Sequence, residues 1–232
     1  MTDDVLAERL RNVQHKIKQC AEKAGRDVRD IQLIAVSKTR SLIEVQQVAA
    51  LGHTCFGENT IQDAMTKIPS FELEADWHFI GHLQSKKAGK LPGYFQWIHS
   101  VDSIKLAQKL STAMNNHTRS AVLNCLIQVN VTGEISKSGL LPEHVMGFLS
   151  DLLNQKLPCL QWRGLMTIGI RGDEQQTRQA FAQLKKLQQD CQKAFNLTEF
   201  NQLSMGMSDD YGLAIEEGST MVRVGTSIFG ER

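Results

Sequence analysis

The sequence predicts an α/β protein, a single (β/α)8 TIM barrel with an extra N-terminal helix. Its 232 residues are close to the roughly 250 that such a barrel needs. Eight short apolar segments alternate with helical patterns, as in parallel βαβ units. No change of composition, internal repeat or linker marks a second domain, so we expect residues 1–232 to form one domain. A doubly wound open sheet is the competing architecture, and the count of eight strands favours the barrel.

The first predicted element is an amphipathic helix over residues 3–24. Apolar residues recur along it at steps of three and four, namely Val5, Leu6, Leu10, Val13, Ile17 and Cys20. Gly25 is a suitable residue to end this helix. The period then changes, because residues 31–36 are a short and mostly apolar run, as expected of a strand that is buried on both faces. This run predicts the first strand at residues 31–37.

The later elements follow in alternation. Ser41 and Glu44 have the spacing of a capping box, which predicts that the second helix begins there. Further strands are predicted at residues 54–57, 77–81, 96–101, 122–130, 161–168, 199–204 and 220–224. The clearest later helix spans residues 174–195, and Asp173 with Gln176 gives it a capping signal.

Composition and charge exclude several classes of protein. Lys and Arg number 26 and Asp and Glu 25, so the net charge is +1 and gives no reason to expect a nucleic-acid or membrane partner. The acidic N-terminus leads into no apolar stretch typical of a secretion signal, and no window is long enough to span a membrane. Five widely spaced cysteines without a C-x-x-C pair indicate reduced thiols and a cytoplasmic protein. His78 and His82 have no acidic or sulfur partner nearby, so we expect no metal site.

A lysine stands where the first strand ends. Lys38 directly follows an apolar run, so in a barrel it points toward the mouth from a partly desolvated position. Desolvation lowers the pKa of a lysine and makes its amine a nucleophile toward carbonyls. Alternatively, Lys38 is a solvated lysine at the end of a strand.

Two turns rich in small residues follow the seventh and eighth strands. Ser204, Gly206, Met207 and Ser208 precede a predicted helix start, where free backbone N–H groups attract phosphate. Gly225 and Thr226 form the second turn, directly after the last strand. Barrel enzymes often bind phosphate between these two loops, although both segments are also compatible with ordinary turns.

Lys38 and the two turns together suit pyridoxal 5′-phosphate (PLP), held as a Schiff base. Arg223, in the last strand, can face the pyridine nitrogen and keep it unprotonated, which weakens the ring as an electron sink. A barrel that binds a sugar phosphate, with Lys38 as a Schiff-base lysine, also fits the pattern.

Other polar residues at strand ends are less specific. Glu58 or Asn59 can face the mouth after the second strand, and Asn59 is alternatively a helix cap. Lys137 lies in a loop of glycines and serines after the fifth strand. Lys86 and Lys87 are expected to lie on a solvated face. Whether Lys137 or the Lys86–Lys87 region forms a second PLP site stays open.

At these residues the chain resembles the pyridoxal phosphate homeostasis protein family over nearly its whole length. The segments that carry the resemblance are 35–39, 56–59, 77–81, 83–84, 136–139, 163–166, 203–210 and 218–226. The resemblance implies a barrel similar to the N-terminal domain of bacterial alanine racemases. It implies that Lys38 forms the Schiff base, that Asn59 lies near the ring and that Arg223 meets the ring nitrogen. It also implies that the Ser204–Ser208 turn and Gly225–Thr226 hold the phosphate.

Family members are thought to buffer or deliver PLP, so the resemblance implies a carrier that donates to apo PLP-dependent enzymes without robust catalysis. The alternative is a PLP-dependent enzyme such as an amino-acid racemase. Related racemases need a second acid–base residue from a further domain and a dimer partner. This chain ends after the eighth βα unit, and Tyr94 and Tyr211 are no evident substitutes. We therefore expect a carrier and a monomer.

Overall fold

The computed structural model describes residues 3–117, 122–134, 137–170 and 172–231. In this part of the chain the strands are β1 Gln32–Val36, β2 Cys55–Glu58, β3 Asp76–Phe79, β4 Trp97–Val101, β5 Leu123–Gln128, β6 Leu160–Met166, β7 Gln202–Ser204 and β8 Met221–Val224. The α-helices described are α1 Asp3–Lys23, α2 Leu42–Ala50, α3 Ile61–Met65, α4 Ile104–Asn115, α5 Pro142–Asn154, α6 Glu174–Phe195, α7 Tyr211–Glu216 and α8 Thr226–Phe229.

The strands form one closed parallel barrel in sequence order. Closure is made by β8, which pairs with β1 so that Ile34 lies opposite Arg223 and Ala35 opposite Val224. Because all strands run the same way, their carboxyl ends meet at one mouth. The barrel predicted from the count of apolar segments is confirmed, and the open sheet is excluded.

The N-terminal helix is confirmed and belongs to the outer layer of the barrel. Leu6, Leu10, Val13 and Ile17 of α1 are buried, and α1 packs against α7 and α8. The last helix, α8, has four residues, and the much longer α1 lies beside it in the outer layer. Gly25 follows α1 with a φ of 65°, a conformation that glycine adopts at low cost.

Two apolar regions stabilise the fold. The main core lies between the barrel and its helices, and its largest buried side chains include Phe56, Phe79, Phe181, Phe200 and Phe229. A smaller cluster contains Ile34, Cys55, Leu126, Met166 and Met221. Polar His78, His99, Ser204 and Arg223 are buried as well, so hydrogen bonds must satisfy them.

Side-chain caps mark the starts of several helices. Ser41 and Glu44 make the predicted capping box, and the Asp173 side chain accepts from the Gln176 backbone N–H. The cap suggested for Asn59 is wrong, because Thr60 caps α3 through its hydroxyl. A helix that begins one residue later leaves Asn59 at the end of β2. No helix within the described residues is long and apolar enough to cross a membrane.

Candidate functional site

A cavity of about 780 Å³ opens at the mouth of the barrel. Seven of the nine residues predicted from the sequence line it: Lys38, Asn59, Met207, Ser208, Arg223, Gly225 and Thr226. They come from the ends of β1, β2, β7 and β8, which are far apart in the sequence. The barrel therefore brings the predicted lysine, the arginine and both small-residue turns to a single site.

The backbone on both sides of Lys38 is held by two charged side chains, the buried Lys67 and the partly exposed Asp63. The Lys67 ammonium donates to the carbonyl of Ser37 over 2.7 Å. The Thr39 backbone N–H donates to the Asp63 carboxylate over 2.6 Å, and Lys67 Nζ lies 3.1 Å from the same carboxylate. Thr39 has a φ of 63°, a strained conformation for a residue that is not glycine. These contacts fix the position from which the half-buried Lys38 side chain leaves the strand.

Glu58 completes this cluster from inside the protein, so of the two residues proposed after β2 only Asn59 lines the cavity. Its Oε1 accepts from Lys67 Nζ over 2.7 Å and from the Ser37 hydroxyl over 2.6 Å. Burial raises the pKa of Glu58 to about 7, although the hydrogen bonds from Lys67 and Ser37 oppose the shift. For the more exposed Asp63, burial also acts to raise the pKa, but the hydrogen bonds from Thr39 and Lys67 outweigh it and the pKa is lowered.

Arg223 is a buried cation at the floor of the cavity. Its guanidinium donates to the Ser204 hydroxyl over 2.5 Å and to the carbonyl of Thr167 over 2.8 Å. Burial lowers its pKa to about 10, so it stays charged at neutral pH. Ser204 itself does not line the cavity, because its side chain points into the barrel interior behind Arg223.

The loop from β7 to α7 takes its shape from a glycine and an aspartate. Gly206 has a φ of 93°, and a Cβ there would lie 2.5 Å from the Cβ of Ala214. This glycine does not line the cavity; it lets the loop pack against α7. The Asp210 carboxylate accepts from the Met207 backbone N–H over 2.6 Å. The turn is thereby folded so that Met207 and Ser208 face the cavity.

The other lysines named from the sequence lie outside the cavity lining. Lys137 forms an ion pair of 2.6 Å with Glu134 and donates to the carbonyl of Gly169. Ser136, in the same motif, lies outside the described residues. Lys86 and Lys87 belong to a 3-10 segment, Ser85–Lys90.

The two histidines considered as metal ligands are separated. His78 is buried, whereas His82 is exposed and 3.8 Å from Asp102. Among the residues that the structure describes, no group of three or more His, Cys, Asp or Glu side chains is placed to hold a metal ion.

Sequence reasoning missed Lys67, Asp63 and His99. The four-residue spacing of Asp63 and Lys67 was the available signal for the first pair. Nothing in the sequence near His99 indicates that its ring contacts Ser204, which is 105 residues away.

Comparison with known proteins shows the family of the chain. Residues 9–232 match the family described as alanine racemase, N-terminal domain. A pyridoxal phosphate homeostasis protein of Pseudomonas aeruginosa is 42% identical over 229 residues, which make up 98% of this chain and 96% of that protein. The chain belongs to the pyridoxal phosphate homeostasis protein family.

Solved structures of other proteins superpose on this chain. PipY of Synechococcus elongatus, solved with PLP bound, is 34% identical and superposes with a TM-score of 0.84 over 97% of this chain and 100% of PipY. An alanine racemase of Clostridium difficile matches with a TM-score of 0.74 at 15% identity, over 99% of this chain and 57% of the racemase. The racemase therefore shares the barrel fold.

Proposed function

We propose that this chain binds PLP at the barrel mouth and acts in PLP homeostasis, as a buffer or delivery protein for the cofactor. The observation that carries the proposal is that Lys38, Arg223 and both small-residue turns line one cavity. Membership of the pyridoxal phosphate homeostasis family and the PLP-bound structure of PipY support it.

The residues present suit each part of PLP. The Lys38 amine condenses with the aldehyde to a Schiff base and releases water. Met207, Ser208, Gly225 and Thr226 would surround the phosphate. Backbone N–H groups of these turns are suitable donors, apart from that of Met207, which already donates to Asp210. Asn59 would lie beside the ring, and Arg223 would donate to the ring nitrogen. Ser204 and Gly206 act indirectly, through Arg223 and through the shape of the loop.

The same geometry favours a carrier over a robust enzyme. When bound, PLP can serve as an electron sink, but a charged Arg223 opposite the ring nitrogen keeps that nitrogen unprotonated and weakens the sink. An amino-acid racemase also needs a second acid–base group. Neither tyrosine lines the cavity, and Tyr211 is buried beside Lys16 of α1.

The decisive experiment is the absorbance spectrum of the purified protein, followed by borohydride reduction and peptide mapping by mass spectrometry. We expect a yellow protein with the reduced pyridoxyl group on Lys38. The Lys38→Ala variant should lose the adduct and keep weak binding through the phosphate, while Lys87→Ala should behave like the wild type. A colourless protein that does not bind added PLP would contradict the proposal, and an adduct that persists in Lys38→Ala would show a second attachment site.

We further propose that the protein is a cytoplasmic monomer that donates PLP to apo PLP-dependent enzymes. The test is to mix the loaded protein with an apo-enzyme and follow the recovery of enzyme activity, with free PLP at the same concentration as control. Light scattering measures the mass in solution. Turnover of an amino acid at rates typical of enzymes would instead support the racemase alternative.

A further inference from the structure

A chain of hydrogen bonds runs through the barrel interior behind Arg223. The guanidinium contacts Ser204 Oγ, which lies 2.8 Å from His99 Nδ1. His99 Nε2 lies 2.9 Å from His78 Nδ1, and His78 Nε2 lies 3.2 Å from Cys55 Sγ. All five side chains are buried, and Trp97 stacks in parallel on the His78 ring. The chain therefore links β8 with β7, β4, β3 and β2.

The donors and acceptors fix one direction for this chain. Arginine only donates, so the Ser204 oxygen accepts from Arg223. The Ser204 hydroxyl hydrogen has one further neighbour among the described residues, His99 Nδ1, and leaving it without an acceptor in a buried site is costly. His99 then carries its proton on Nε2 and donates to His78 Nδ1. His78 in turn carries its proton on Nε2 and donates to Cys55 Sγ.

The surroundings keep both imidazoles and the thiol of the chain uncharged. Burial lowers the pKa of His78 to about 3. Burial, His78 and the charge of Arg223 together lower the pKa of His99 well below its ordinary value. Burial raises the pKa of the Cys55 thiol, so it stays protonated. The imidazoles are therefore neutral, and the positive charge stays on Arg223.

We propose that Ser204, His99 and His78 are positioning residues that fix the Arg223 guanidinium as a permanent donor toward a ring nitrogen in the cavity. The inference rests on the proposed function for the identity of that ring. The unprotonated pyridine nitrogen of PLP is a hydrogen-bond acceptor, and the guanidinium is a suitable donor to it. Arg223 has two internal anchors, Ser204 and the carbonyl of Thr167, and its contact with the cavity uses its remaining donors.

The first test measures the histidine tautomers of the protein without cofactor, by ¹⁵N NMR of the imidazole nitrogens. Signals are assigned by their loss in His99→Leu and His78→Gln. We expect both rings to carry hydrogen on Nε2 and to stay neutral at pH 6. A proton on Nδ1 of either ring would overturn the inference while leaving PLP binding intact. Because no cofactor is used, this result is independent of the proposed function.

The second test compares two buried serines, Ser204 of β7 and Ser100 of β4. Ser204→Ala removes the anchor of Arg223, whereas Ser100→Ala removes a buried hydroxyl next to His99 that has no hydrogen-bond partner among the described residues. We expect Ser204→Ala to shift the absorbance maximum of bound PLP and to weaken PLP binding by about tenfold, which is about 1.4 kcal/mol. Ser100→Ala should keep the wild-type spectrum. A wild-type spectrum in Ser204→Ala would overturn the inference.

A third pair of variants, both at His99, tests the positioning role if Ser204→Ala does not fold. His99→Leu removes the acceptor for the Ser204 hydroxyl, and His99→Asn can place its side-chain oxygen near the former Nδ1. The spectrum should shift in His99→Leu and stay close to the wild type in His99→Asn. Equal spectra for the two variants would contradict a positioning role. Failure of the wild-type protein to bind PLP would contradict the proposed function. The tautomer measurement would still test the direction of the hydrogen bonds behind Arg223.

Discussion

At the residue scale, Lys67 is fully buried yet uses all its donors. Its ammonium contacts the Ser37 carbonyl and the carboxylates of Glu58 and Asp63. A lysine has three hydrogens, so these acceptors satisfy it completely. Glu58 Oε2 is buried and finds no partner within the described residues. The cluster therefore depends on Lys67, since its removal would leave carboxylates without a cation.

We expect Lys67→Met to lower the free energy of unfolding by about 3–5 kcal/mol, as when one partner of a buried ion pair is removed. Adding Glu58→Gln should restore part of this loss, because a glutamine amide needs no cation beside it. Urea unfolding at neutral pH measures both. Lys87→Met is the control and should change the stability by about 0.5 kcal/mol or less. A Lys67→Met protein as stable as this control would show that the pair is dispensable.

Also at the residue scale, His78 makes the folding stability depend on pH. Burial holds its pKa at about 3 in the folded protein, whereas in the unfolded chain it has the ordinary value of about 6.5. The unfolded state therefore binds a proton first as the pH falls, and folding stability is lost below about pH 6.5. Between pH 7 and pH 5 the loss is about 2 kcal/mol for one such histidine.

His78→Gln should accordingly flatten the fall in stability between pH 7 and pH 5, as measured by urea unfolding at several pH values. The matched control is His15→Gln, on the exposed face of α1. Equal flattening in both variants would contradict the assignment to the buried ring.

At the scale of elements, the loop from β7 to α7 is shaped by close backbone packing. Gly206 combines a positive φ with a distance of 2.5 Å from an ideal Cβ to Ala214 Cβ. Gly147, in α5, has open space around it. The two glycines thus differ in what a methyl group would meet, although the sequence presents both simply as glycine.

We expect Gly206→Ala to destabilise the protein by at least about 2 kcal/mol and to weaken PLP binding, because strain and overlap displace Met207 and Ser208. Gly147→Ala should instead stabilise it by about 0.5–1 kcal/mol, since alanine is favoured inside a helix. Thermal unfolding without PLP measures the change in stability of each variant, and the shift on adding PLP measures PLP binding. A neutral Gly206→Ala would show that the loop can adjust.

At the scale of the whole molecule, we propose that residues 1–232 form one domain, in which α1 unfolds together with the barrel. The buried face of α1 packs on α7 and α8, and Arg26, beyond its end, donates to the carbonyls of Ile215 and Ser219. The first and last parts of the chain are therefore joined.

This proposal predicts one thermal transition, seen alike by far-UV circular dichroism and by tryptophan fluorescence. Leu10→Ala should lower the stability by about 2–5 kcal/mol and shift that single transition. A separate early transition in Leu10→Ala would show that α1 unfolds on its own and would contradict a single domain.

The element order was predictable because each strand and helix has a local signature. The apolar runs around Ile34 and Val222 and the helical spacing of Leu6, Leu10 and Val13 depend only on near neighbours. Boundaries shifted by up to three residues, as in β7, which begins at Gln202 and not at residue 199. Strand ends depend on which partner strand continues the ladder, and that information is not local.

The sequence by itself determined the barrel, the lysine after β1 and the two small-residue turns that reach the mouth. Only the tertiary structure decided that Ser204 turns inward to Arg223 and His99, and that Glu58 turns inward to Lys67. The reason is physical. Periodicity tells which side chains share a face of one element, whereas a buried polar group finds its partner across strands that meet only when the barrel closes.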